Sequence, residues 1–155
     1  MQVRRAEAAD AVRLLEIDRL THSASVSPGP DGRDDAWTRD RLADLLVAEE
    51  DDNVVGYLML GHPTPLESNR HVLQIQGLAV DPGHQGRGIG HTLLEAALAH
   101  ARVRGAHKLS LRVLSTNTTA RQLYAALGFQ EEGVLREEFV LRGRYVDDVL
   151  MARRL

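Results

Sequence analysis

Residues Leu73 to Leu94, LQIQGLAVDPGHQGRGIGHTLL, constrain this chain more than any other stretch. An apolar run that reads as a strand, VLQIQGLAV, stops at Asp81-Pro82-Gly83. A turn carrying Gln85, Gly86, Arg87, Gly88 and Gly90 follows, and an amphipathic helix then begins. Glycines let the backbone turn sharply and come close to a ligand. The first turn of a helix leaves N–H groups unpaired at the positive end of its dipole. Strand, glycine turn and helix start therefore make a site ready for a phosphate or pyrophosphate. The same residues also read as a glycine-rich connection that binds nothing.

Two familiar phosphate loops do not fit the turn. No Gly-Lys-Ser/Thr is present, and Gly-x-Gly-x-x-Gly read from Gly86 reaches Gly88 and then His91 instead of a third glycine. What does fit is Gln-x-x-Gly-x-Gly from Gln85 to Gly90, after a strand ending LAVDP. This resembles the acyl-CoA pyrophosphate loop of the GNAT superfamily of N-acetyltransferases.

A second motif lies downstream in LRVLSTNTTARQLYAALGFQEEGV, Leu111 to Val134. The run KLSLRVL alternates as a half-buried strand does, and Asn117 stands where a helix N-cap belongs. Ala120, Leu123, Tyr124 and Leu127 share one helical face, and Gly128 closes the helix. The segment resembles the family's second motif, Asn-x-x-Ala-x-x-Leu-Tyr-x-x-x-Gly-Phe, at every specified position. By that resemblance Asn117 contacts the pantetheine arm and Tyr124 lies near the thioester sulfur. Read without it, Asn117 is a cap and Tyr124 a core aromatic.

The 155 residues can bury about 70% of their unfolded surface, enough for one core, so 1–155 reads as a single domain. No stretch approaches the roughly 20 apolar residues of a membrane span, and MQVRRAEAAD lacks a secretion signal. No cysteine is present, which removes disulfides, thiolate metal sites and a cysteine nucleophile. These features point to the cytoplasm. A net charge of −3 gives no reason to expect a nucleic-acid partner. The histidines form no metal-ligand pattern, and no metal is expected.

The remaining elements read as a short strand at QVRRA and a helix over EAADAVRLLEIDRL with apolar Val12, Leu15 and Ile17. Residues 21–36 read as an exposed loop, with a helix starting near Trp37. A hairpin turns at Asp51-Asp52-Asn53, and a second, after Phe129, at Arg142-Gly143-Arg144. The expected class is α/β. One mixed, mostly antiparallel sheet is splayed at its centre with helices on both faces, in the element order of the GNAT fold.

The resemblance implies that neighbouring strands part to admit the acyl-CoA arm. A bulge near Leu78, Ala79 and Val80 would offer backbone groups to the pantetheine amides. The amides of Gly86, Arg87, Gly88, Ile89, Gly90 and His91 would hold the pyrophosphate. Arg87 is either a charge-assisted contact or a solvated surface arginine. The implied reaction is direct attack of a neutral amine on acetyl-CoA, with the Val80 N–H a candidate to polarise the carbonyl. Tyr124 would protonate or hydrogen-bond the leaving thiolate.

Many family members carry a glutamate eleven residues before the loop Gln. Here that position is Gln74, which cannot take a proton. Glu67, His71, Glu137 and Glu138 are then candidate bases acting through water. Alternatively the amine needs little help: an α-amino group near pKa 7.8 is roughly 10–15% neutral at pH 7, against about 0.04% for a lysine near 10.4. The reading leans to an α-amine, as of an amino acid or peptide, or to another amine of low pKa. The C-terminal Gly-x-Tyr-x-Asp-x-x-x-Met, Gly143 to Met151, looks like family members acting on amino acids or protein N-termini. Asp34, Asp35, Asp147 and Asp148 are acidic residues able to attract a cationic acceptor. The contrasting function is a non-catalytic acyl-CoA-binding module for sensing or assembly. A homodimer is a habit of the family.

Overall fold

The computed structural model describes residues 1–23, 27 and 34–155, with the side chains of 35–37 left aside. The strands are β1 (Gln2–Arg5), β2 (Leu45–Glu50), β3 (Asn53–Gly61), β4 (Val72–Val80), β5 (Lys108–Leu114), β6 (Gln130–Leu141) and β7 (Arg144–Arg154). The helices are α1 (Ala11–Thr21), α2 (Asp35–Arg41), α3 (Ile89–Val103) and α4 (Thr118–Ala126). Among the described residues the strands form one sheet in the order β1-β2-β3-β4-β5-β7-β6. Every neighbouring pair is antiparallel except β4 with β5. The expected mixed sheet with helices on both faces is therefore present. Most of the loop expected over 21–36 falls outside the described residues, and α2 contains Trp37 as expected.

Period-two alternation sends alternate residues of β2 and β3 to cores on opposite faces of the sheet. Leu46, Ala48, Leu58 and Leu60 pack against α3, which buries Ile89, Leu93, Leu94, Ala97, Leu98 and Ala101 along one stripe. Tyr124 and Leu127 of α4 join that core. Leu45, Val47, Tyr57 and Met59 face the other way, onto Leu14 and Ile17 of α1. Truncating a fully enclosed residue such as Leu93 to alanine costs about 2–5 kcal/mol. The sequence reading needs one correction here: Val12 is 79% exposed, and Leu14 takes its place in the core beside Leu15 and Ile17.

Both hairpins turn where expected. Asp51 and Asp52 (φ 49 and 60°) and Arg142 and Gly143 (φ 49 and 73°) adopt the left-handed pairs that match the twist of the strands they join.

The sheet parts at its centre. β4 and β5 are paired only from Val72↔Lys108 to Ile75↔Leu111, after which β4 continues to Val80 and β5 to Leu114 without pairing each other. The bulge is at Gln76, where the register with β3 slips between Gly77↔Met59 and Ile75↔Leu60. It precedes the expected position at Leu78, Ala79 and Val80. An extra residue bends its strand, here at the point where β4 leaves β5.

Candidate active site

Beyond the bulge the ladder sets which backbone groups are free. Asp81 N–H bonds to Val55 O at 2.9 Å, and Val80 opposes Gly56. Alternation then turns the N–H and C=O of Leu78 and Val80 away from β3, into the gap beside β5. Ala79, buried in the α1-side core, bonds towards β3. Of the three residues expected here, Leu78 and Val80 thus bring backbone groups to the gap, and Ala79 brings lining.

The glycine loop continues from that strand. Asp81 Oδ1 accepts from Gly83 N–H (2.7 Å) across the Pro82–His84 turn, and Gln85 Nε2 donates to Val80 O (3.1 Å). Gln85 thereby ties the loop back to its strand and occupies the Val80 carbonyl. Gly86 and Gly88 have φ of 76 and 80°, and a Cβ at either would meet nothing within 4 Å. Both glycines therefore serve backbone shape beside open space. The first helical bond runs from Thr92 N–H to Gly88 O (3.0 Å), leaving the amides of Ile89, Gly90 and His91 in the unpaired first turn.

The side chains of this turn do other work. Ile89 is buried in the core, and a Cβ on Gly90 would lie 3.3 Å from Leu123 of α4. Gly90 is thus a packing glycine between the two helices. Arg87, half exposed, pairs with Glu50 at 3.0 Å, and His91 reaches Glu95 at 3.5 Å.

A cleft of about 730 Å³ passes through the gap. On the α3–α4 side it is lined by Gln85, Leu114, Asn117 and Tyr124. Asn117 caps α4, its Oδ1 accepting from Ala120 N–H (3.2 Å), so the cap reading holds and its NH₂ remains a donor. Tyr124 is buried beside Phe129, with ring centroids 5.9 Å apart. Burial pushes its phenol up to about 12, so it is a neutral donor throughout the physiological range.

On the other side the lining is polar: Asp18 and Thr21 from α1, His22 just after it, Tyr57, Gln74, Gln76, Arg112 and Asp148. Tyr57 donates to Asp18 Oδ1 (2.7 Å), and Arg112 Nε to Asp148 Oδ2 (2.5 Å). Gln76 Nε2 donates to Gln74 Oε1 (3.4 Å) and to His62 O (3.3 Å). Among the described residues, the four groups considered as bases do not line this cleft. Glu67 pairs with Arg70 on an exposed turn, His71 stacks near His107, and Glu138 stands 3.9 Å from Arg112. Glu137 sits in a left-handed bulge of β6, its N–H held by Asp147 Oδ1 (2.8 Å).

Asp18, Tyr57 and Arg112 line the cleft without having been singled out in the sequence, and Asp148 was singled out only as one of four acidic residues able to attract a cationic acceptor. For Asp148 a signal existed: it shares the strand parity of Val146 and Ala152, so an acidic side chain was being sent inward. Asp18 and Arg112 carry no such mark. Among the described residues no cluster of three or more His, Asp or Glu is placed to hold a metal ion, and no helix is long and apolar enough to cross a membrane.

Residues 11–129 match the family model for the acetyltransferase (GNAT) family. The L-methionine sulfoximine/L-methionine sulfone acetyltransferase of Salmonella typhimurium is 29% identical over the whole chain and 95% of its own length. The L-amino acid N-acyltransferase MnaT of Escherichia coli is 29% identical over the whole chain and 94% of its own. Among solved structures, a ribosomal-protein-alanine N-acetyltransferase from Brucella melitensis superposes with a TM-score of 0.89 at 30% identity, covering both chains fully. The acetyl-CoA complex of yncA from Salmonella typhimurium gives 0.89 at 28% identity, over 100% of this chain and 94% of that one.

Proposed function

The chain belongs to the GNAT family of acetyltransferases and is an N-acetyltransferase with acetyl-CoA as its acyl donor; from that premise we propose that its acceptor is an α-amino group of an amino acid or peptide. The observation that carries the reading is the cleft through the parted strands. It joins the glycine loop and the free backbone groups of β4 on one face to a polar basin on the other. The donor enters from the α3–α4 side and the amine from the α1 side. The whole of 1–155 acts as one catalytic domain, in the cytoplasm.

In this reading the amides from Gly86 to His91 hold the pyrophosphate, at the positive end of α3. The open space over Gly86 and Gly88 suits a bound group. Leu78 bonds to the pantetheine amides, and the Asn117 NH₂ adds a donor. The amine nitrogen attacks the thioester carbon, whose oxygen the Val80 N–H polarises. The C–S bond breaks, sulfur leaves as thiolate, and the proton lost by nitrogen passes to solvent.

Tyr124 assists the departing sulfur. Complete transfer from a phenol at about 12 to a thiolate of pKa roughly 8.5 is uphill by about 5 kcal/mol. Tyr124 therefore acts as a hydrogen-bond donor that stabilises the thiolate. Gln74 takes no proton, so rate depends on the neutral fraction of the amine. The gap between α-amine and lysine is about 3.5 kcal/mol at pH 7.

The test is CoA release from acetyl-CoA at pH 7 and pH 9, against amino acids, N-terminal peptides, lysine-containing N-blocked peptides and polyamines. Turnover led by α-amines and rising with their neutral fraction is expected. A clear preference for lysine side chains overturns the reading.

A further inference from the structure

Asp148 is 2% exposed, yet it lines the cleft. It sits on β7 opposite Leu114 of β5 and Leu135 of β6. A carboxylate so enclosed is stable only with a partner, and the partner is singular in geometry. Arg112 brings both Nε and Nη2 to the same oxygen, Oδ2, each at 2.5 Å. Among the described residues, Asp148 Oδ1 and Arg112 Nη1 carry no hydrogen bond. Arg112 is itself nearly half exposed, with Glu138 3.9 Å from Nη2.

The pair therefore offers the cleft an acceptor oxygen and a donor edge side by side, with its own charges balanced. Net charge in such a pair selects neither polyamines nor anions. What it matches is a molecule carrying an amine and a carboxylate on one carbon. We propose that the Arg112–Asp148 pair reads the acceptor as a free α-amino acid, Arg112 Nη1 donating to its carboxylate and Asp148 Oδ1 accepting from its amine. Gln74, whose Oε1 already accepts from Gln76, keeps its NH₂ as a further donor in the same cleft. A peptide N-terminus places a neutral amide where the carboxylate belongs and leaves the arginine edge unmatched. This inference rests on the α-amine reading above and narrows it from amino acids or peptides to amino acids. Asp148 orients the amine; Arg112 sets specificity.

The experiment compares steady-state kinetics of the best amino acid from the panel with its carboxamide and its N-terminal dipeptide. Rates are expressed per neutral amine so that the differing amine pKa values drop out. The wild-type protein should favour the free acid by about 10- to 100-fold in kcat/KM, mostly through KM, the size of one charge-assisted hydrogen bond. R112Q should bring acid and amide within about threefold of each other, and acetyl-CoA calorimetry on that variant checks that it is folded. Equal use of acid and amide by the wild-type protein overturns the inference while leaving α-amine transfer intact, and needs no variant. A folded R112Q that keeps the preference overturns Arg112 as the anchor. If no α-amine is acetylated, the wider reading falls and this one with it.

Discussion

Arg13 on α1 grips Asp81, the residue that ends β4 and caps the turn into the glycine loop. Its Nη2 meets Asp81 Oδ2, its Nε donates to Val54 O at 3.0 Å, and Asp81 Oδ1 holds Gly83 N–H. The helix that lines the polar side of the cleft is thereby fastened to the glycine loop on the other side. The Gly83 amide, with Arg13 beside it, keeps the Asp81 carboxyl below the ordinary carboxylate value of 3.8. Arg4 does the same for Asp10.

A carboxyl lowered in the folded state binds fewer protons than in the unfolded chain. Its contribution is full above the unfolded value and is lost as pH falls through the folded one. Urea unfolding should therefore show stability steady from neutral pH to about 5 as far as these two groups act, then falling below about 4. Asp81→Asn keeps an acceptor for Gly83 N–H and removes only the charge facing Arg13; it should cost about 0.5–1 kcal/mol at pH 7, and the gap to wild type should close by pH 2. A gap independent of pH would rule out Asp81 as a contributor to acid sensitivity.

Tyr124→Phe should lower kcat by about a hundredfold and leave acetyl-CoA affinity within about threefold. Because burial raises the phenol to about 12, the wild-type rate should show no loss from its ionisation up to pH 10. Rapid-quench and binding measurements decide. Intact turnover in the variant removes Tyr124 from the leaving-group step; a wild-type rate falling with an apparent pKa near 10, and not in the variant, would instead show a phenol that titrates at the ordinary tyrosine value.

The glycine-loop half of the cleft was legible in its shape because that geometry is local. Gln85 to Gly90 and Asn117 to Phe129 are short runs in which turn conformation, cap and helix face depend on neighbouring residues. The polar half is assembled from Asp18, Tyr57, Arg112 and Asp148, which lie on four elements and meet only through strand order. Apart from the strand parity of Asp148, no spacing in the chain announces them. The bulge was implied by the family resemblance, yet its position depends on register against β3, which alternation alone does not fix. Val12 misled because helix periodicity tolerates a shift of one or two positions, and contact with the sheet chose Leu14.

The two helix-start glycines should respond differently to alanine. At Gly86 a methyl group enters open space but must adopt φ 76°, at a cost of about 1 kcal/mol, and it projects over the expected phosphate site. Gly86→Ala should weaken acetyl-CoA binding about tenfold. At Gly90 the methyl presses Leu123 from 3.3 Å, offset by alanine's helix preference of about 1 kcal/mol. Gly90→Ala should leave stability within about 1 kcal/mol and acetyl-CoA affinity within about threefold. Calorimetry and thermal melts check both, and the reverse ranking in affinity would show the phosphate to lie over Gly90.

Arg87 tests whether backbone or side chain holds the donor. It is half exposed and already paired with Glu50, and such surface pairs contribute about 0–1 kcal/mol. The amides of the loop, by contrast, are fixed in place and point from the positive end of α3. Arg87→Ala should therefore shift acetyl-CoA affinity by less than about threefold and stability by less than about 0.5 kcal/mol. Glu50→Gln, which releases the guanidinium, should tighten binding slightly at low salt, and the gain should vanish near 0.5 M, where the screening length is a few ångströms. A loss above tenfold in Arg87→Ala, steeply dependent on salt, would instead make this arginine a direct phosphate ligand that leaves Glu50 when acetyl-CoA arrives.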